Sequence, residues 1–171
     1  FTTFKHIQDE SFFNLKYITM DVLFACLGDT CRSPLAKGIL KKEFAKRNIS
    51  GNIESAGFEP HHIGHPVDKR TLRVADEHGI DLSEHTMRMF SPDDFDRFDH
   101  IYVMDQRDYN DVEYACKNPD DMQKVDFVMN LIDEEKRSKI IPDPLYKGYR
   151  SFEKIYEKLE KACAALAEKA K

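Results

Sequence analysis

A cysteine and an arginine with five residues between them stand in the segment Cys26-Leu27-Gly28-Asp29-Thr30-Cys31-Arg32-Ser33-Pro34. A thiolate is a strong nucleophile, and a guanidinium offers a planar fork that grips two oxygens of a tetrahedral anion. The spacing alone is weak evidence, and its surroundings supply the specificity. Val22-Leu23-Phe24-Ala25 is an apolar run of the kind that forms a strand buried on both faces. Ser33-Pro34 reads as a helix N-cap with proline at the first helical position. Between strand and helix, Gly28 permits a tight loop whose N–H groups converge into an anion nest, reinforced by the helix dipole. The same field predicts a depressed pKa for Cys26. A thiolate attacking phosphorus also needs an acid for the departing oxygen. Asp143, stiffened between Pro142 and Pro144, is the candidate.

The elements that position these groups alternate along the chain. Helical periodicity follows Pro34, with Leu35, Ile39, Leu40 and Phe44 on one stripe. Strands are predicted at 53–56, 101–104 and, more weakly, 125–129. Helices are predicted over 67–78, from Ser91-Pro92 onward, over 107–116, and along a closing segment with Phe152, Ile155, Tyr156, Leu159 and Leu166 on one face. Alternating strands and helices mean an α/β fold, a parallel sheet with helices on both faces, whose ligand sits at the carboxyl ends of the strands.

Composition bounds the rest. The chain has 171 residues, 41% of them hydrophobic and 33% charged, which fits one globular domain or one domain plus a tail. A net charge of −5 leaves no basic excess for nucleic acid, and no apolar run reaches the roughly 20 residues of a membrane helix. Four cysteines are too few for a disulfide scaffold, so the expected setting is reduced and cytoplasmic. Residues 1–19 read as an N-terminal extension, either a leader or tag or a cover for an apolar patch through Phe1, Phe4, Phe12 and Phe13. The compact domain is expected over 20–171.

With the loop, Ser55-Ala56-Gly57, His62-Ile63-Gly64-His65-Pro66, His78-Gly79-Ile80, Met104-Asp105 and Asp143-Pro144 in this order, the sequence resembles the low-molecular-weight protein tyrosine phosphatases. The resemblance implies a three-layer sandwich with a central, mainly four-stranded parallel sheet of the flavodoxin-like, phosphotyrosine phosphatase I type. It implies a metal-independent phosphomonoesterase that hydrolyses protein phosphotyrosine through a cysteinyl-phosphate, with no cofactor. Its partners would be a phosphorylated protein or peptide and an oxyanion such as inorganic phosphate, with no nucleic acid or membrane. Carried across, Cys26 is the nucleophile, Arg32 binds phosphoryl oxygens, Ser33 hydrogen-bonds the sulfur, and Asp143 is general acid and then general base. Leu27, Gly28, Asp29, Thr30 and Cys31 complete the phosphate-binding loop, and Cys31 traps an oxidised Cys26 as a disulfide. The resemblance implies that Asp29 holds the loop with Ser33, Ser55 and His78, and that His61, Leu145 and Tyr146 wall the pocket.

The departures have chemical content. Asp29 replaces the family's asparagine and adds a negative charge beside the phosphate site. Thr30 stands where isoleucine is usual and where protein arginine phosphatases have threonine, so phosphoarginine is the alternative substrate. Leu145 and His61 replace aromatic residues. A phosphate-binding module without turnover is the non-enzymatic alternative. A zinc site built from Cys26, Cys31, His61, His62 and His65 is disfavoured, since C-x4-C is half a site and Cys116 and Cys163 lie far off, where they are expected to be packing residues. The run Asp93, Asp94, Asp96 reads as a solvated helix start, and Asp105 as a structural acid at a strand end.

Overall fold

The computed structural model describes residues 19–137 and 139–170. The expectations for residues 1–18 lie outside the described residues. Strands β1 (Val22–Ala25), β2 (Ile53–Ala56), β3 (His100–Val103) and β4 (Val125–Phe127) form one parallel sheet in the order β2-β1-β3-β4. Among the described residues five α-helices accompany them: α1 (Arg32–Arg47), α2 (Lys69–Glu77), α3 (Asp94–Arg97), α4 (Gln106–Ala115) and α5 (Tyr149–Lys169).

Both faces of β1 are buried, which is why its sequence is uniformly apolar. Val22 and Phe24 pack into the core built on α1 and α5, whereas Leu23 and Ala25 pack with Phe95, Phe98 and Val112 on the opposite side. The period-2 alternation of a strand thus divides one four-residue run between two cores. β1 lies between β2 and β3, so the strand order reverses direction at β1/β3 and opens a crevice at their carboxyl ends.

Three local expectations change. Ser33 does not cap α1: the N-cap is Cys31, without a side-chain cap, because the Ser33 hydroxyl is taken up by Cys26 and Asp29. The run 125–129 pairs only as far as Phe127 and then winds into a 3₁₀ turn, Val128–Leu131. Asp94 is not solvated but fully buried, paired with Arg88 and Arg97 and accepting the Ser91 amide. The helix start it belongs to lasts only the four residues of α3.

Candidate active site

Cys26 follows the last residue of β1 and is 2% exposed at the base of a small cleft of about 40 Å³. Leu27, Gly28, Thr30, Cys31, Arg32, Glu59, His62, Asp143 and Leu145 line the same cleft. Backbone contacts hold the loop above its neighbours: Phe58 N–H donates to Leu27 O at 2.8 Å and Asp68 N–H to Thr30 O at 2.8 Å. A Cβ on Gly57 would stand 3.0 Å from both Asp29 N and Leu27 O, so this close approach requires glycine.

Arg32 is 3% exposed and held from several directions. Its Nη1 donates to Asp105 Oδ2 at 2.6 Å and to Ile141 O at 3.0 Å, and lies 3.4 Å from Asp108 Oδ2. Its Nη2 lies 3.9 Å from Asp143 Oδ2. The acids around Arg32 raise its pKa against the effect of burial, so the guanidinium stays charged. Asp105 also accepts the Asp108 N–H at 3.0 Å and thereby caps α4, so it is a positioning acid at a strand end, as the sequence suggests. Asp143 is placed by its own loop: Ile141 N–H donates to Met104 O, and Asp143 Oδ1 accepts the Leu145 N–H at 3.0 Å. Arg70 straps the far side, bonded to Asp68 and to the carbonyls of Leu145 and Lys147.

Beneath the cleft a chain of side chains runs away from the sulfur. Cys26 Sγ and Ser33 Oγ are 2.9 Å apart, and Ser33 donates to Asp29 Oδ1 at 2.7 Å. His85 Nε2 stands 3.3 Å from Asp29 Oδ2, and His85 Nδ1 stands 2.5 Å from Lys37 Nζ. An ammonium has only donors, so Nδ1 accepts from Lys37 and Nε2 donates to the Asp29 carbonyl oxygen at 3.3 Å, beside the carboxylate. Asp29 sits at φ 45°, a left-handed conformation that aspartate tolerates, and is fully buried. It therefore braces the loop from below and does not line the cleft.

These contacts correct several expectations. His78 does not reach the loop; it is exposed, ends α2, and stacks on Tyr156 with ring centroids 3.6 Å apart. His85, five residues past the motif that drew attention to His78, takes that place. Ser55 is buried, but its hydroxyl has no hydrogen-bond partner, so the expected link to Asp29 is not made. His61 and Tyr146 do not line the cleft; His61 is exposed and Tyr146 is 97% exposed, whereas Leu145 does contribute. Glu59 and His62 provide the wall on the side expected of His61. The thiol of Cys26 is not depressed: burial, with Asp108 and Asp29 adding to it, outweighs the pull of Arg32 and the Ser33 hydrogen bond and leaves it raised to about 12.

Asp108 was not singled out by the sequence. It is fully buried, and burial outweighs the pull of Arg32 and of the Leu27 and Met104 amides to leave its carboxyl raised to about 7. Lys37, Glu59 and Arg70 also escaped notice, because a charged residue on a helix or turn reads as solvated until a fold turns it inward.

A cysteine at the end of the first strand, an arginine opening the next helix and an aspartate on a proline-flanked loop define a cysteine-based phosphatase site on a parallel α/β sheet. The family model for low molecular weight phosphotyrosine protein phosphatase matches residues 21–171. The human low molecular weight phosphotyrosine protein phosphatase is 34% identical over 154 residues, covering 89% of this chain and 96% of its own. Among solved structures, a protein tyrosine phosphatase from Entamoeba histolytica, with Hepes in the active site, superposes with a TM-score of 0.80 at 31% identity, covering 88% of this chain and 96% of that one. Wzb from Vibrio vulnificus, in complex with benzylphosphonate, gives 0.77 at 25% identity, covering 88% and 98%. The chain belongs to the low molecular weight phosphotyrosine protein phosphatase family.

Proposed function

We propose that this protein hydrolyses phosphotyrosine in proteins or peptides through a cysteinyl-phosphate. The observation that carries the reading is that Cys26, Arg32 and Asp143 line one cleft although they come from two ends of the domain. The benzylphosphonate bound to Wzb, an aryl-bearing phosphate mimic, supports a substrate of that shape.

In the resting site Ser33 spends its one hydrogen on Asp29, so the Cys26 thiol is the donor across the 2.9 Å contact to Ser33 Oγ. As the phosphoryl group docks against Arg32 and the loop amides, the thiol proton is given up to solvent water and Ser33 turns its hydrogen to the sulfur. The Sγ–P bond then forms as the P–O bond to tyrosine breaks, and Asp143 passes its proton to the leaving oxygen. In the second step Asp143 takes a proton from water, the new P–O bond forms, and the S–P bond breaks with Ser33 stabilising the departing thiolate. That Cys31 is a free thiol lining the same cleft supports the reading that it condenses with an oxidised Cys26 to a disulfide, with loss of water.

The test is hydrolysis of 4-nitrophenyl phosphate with rapid mixing. A burst of nitrophenol, absent in Cys26→Ser, and a loss of about 10²-fold or more in kcat for Asp143→Ala are expected. Undiminished turnover by Cys26→Ser would sink the mechanism. Phosphotyrosine and phosphoarginine peptides assayed side by side decide the substrate, with faster cleavage of phosphotyrosine expected.

A further inference from the structure

At the rim of the cleft, Glu59, His61 and His62 each offer one ligand atom, all within 4.8 Å of one another. Glu59 Oε2 is 3.5 Å from His61 Nε2 and 3.3 Å from His62 Nδ1. Nitrogen and oxygen ligands about 2.1 Å from a tetrahedral ion stand about 3.4 Å apart, so two edges of a coordination tetrahedron are already set. The third closes by rotation of His61, whose side chain is 68% exposed.

Two further observations point to a ligand. His62 Nδ1 is buried and has no hydrogen-bond partner. Glu59 divides its oxygens: Oε1 faces Arg107 Nη2 at 3.7 Å, which leaves Oε2 for the two imidazoles. Glu59 is the N-cap residue of a single 3₁₀ turn, Pro60–His62, that carries both histidines and is closed by His62 N–H donating to Glu59 O at 3.0 Å. That turn is tied to the catalytic loop through Glu59 N–H and Leu27 O. His62 Nδ1 also lies 2.8 Å from where a Cβ on Gly28 would stand.

We propose that Glu59, His61 and His62 form a binding site for a divalent transition-metal ion of the zinc class on the rim of the phosphate cleft. The donor set, two imidazoles and one carboxylate, suits zinc, with the fourth position open to water on the exposed side. The ion plays no part in the proposed hydrolysis, and its binding is read independently of that reaction.

The experiment uses the full chain carrying Cys26→Ser, which removes the nucleophilic thiol as a competing ligand. Calorimetric titration with Zn²⁺ is expected to give one ion per chain. His61→Ala and His62→Ala are each expected to weaken binding at least about tenfold, since even outer-shell partners cost that much. His61 is exposed, so its substitution leaves folding intact. Titration with Co²⁺ is expected to give a tetrahedral spectrum without a thiolate-to-cobalt charge-transfer band. Affinity unchanged in His61→Ala, or a charge-transfer band showing ligation by another cysteine, would overturn the site.

Discussion

Two aspartates, both fully buried, flank the catalytic pair from opposite sides and are satisfied in different ways. Asp29 accepts Ser33 through Oδ1 at 2.7 Å, while its Oδ2 makes no hydrogen bond and faces, at 3.3 Å, a histidine that is itself backed by Lys37. Asp108 stands 3.4 Å from Arg32, and neither of its oxygens has a hydrogen-bond partner of good geometry. Both push the Cys26 thiol up, Asp108 more than Asp29. The difference shows that a buried carboxylate can either organise donors around itself or act mainly as a charge that comes and goes with pH. Asp29 belongs to the first kind, and Asp108 to the second.

The largest expected effect breaks the first arrangement. Asp29→Ala leaves Ser33 without its acceptor and His85 without the carboxylate it faces, and puts alanine at φ 45°, so kcat is expected to fall about 10²-fold, in the range of lost positioning in active sites. Asp29→Asn separates shape from charge. Its amide donates to Ser33 Oγ and releases the Ser33 hydrogen to the sulfur. Alkylation of Cys26 by iodoacetate, followed against pH, is therefore expected to show a lower thiol pKa in Asp29→Asn. An unchanged alkylation profile would contradict the hydrogen-bond exchange at Ser33.

Asp108 comes next. Its carboxyl is raised to about 7, so the folded state favours the protonated form. Stability contributed by that protonated form is lost as pH rises from the ordinary carboxylate range through 7. The ionised form also offsets Arg32 and disfavours the thiolate, so kcat/KM is expected to decline as pH rises through about 7. Asp108→Asn is expected to flatten that decline and to stabilise the fold above pH 7 by a few kcal/mol, about 1.4 for each pKa unit. Denaturant unfolding at pH 5 and 8 measures the second effect. Equal pH dependence in wild type and variant would show that Asp108 does not titrate there.

The smallest effects compare two histidines. His85→Ala removes the donor facing Asp29 and is expected to lower kcat about tenfold. His78→Ala loses a ring stack on Tyr156, worth about 0.5–1.5 kcal/mol, and leaves kcat unchanged. The reverse result would restore the assignment read from the sequence.

That exchange of histidines marks how far the sequence was legible. Strand positions were readable because burial on both faces leaves only apolar residues, as in Val22–Ala25. Cys26, Arg32 and Asp143 were readable because their types and flanking glycine and prolines carry chemistry locally. The bracing network was not: whether His78 or His85 meets Asp29 depends on where the chain goes after α2, and both follow it within eight residues. Asp108 looked like any acid in the first turn of a helix until the crevice closed over it. Pocket walls failed for the same reason, since a side chain on a turn faces in or out according to one backbone torsion.

The bond from Arg32 Nη1 to the carbonyl of Ile141 joins residues 109 positions apart. Closing so long a loop comes late in folding, because its entropy is recovered only once the intervening strands are paired. The site is therefore an all-or-none reporter of assembly. In a refolding experiment, recovery of turnover is expected to follow, and never to precede, the return of far-ultraviolet circular dichroism.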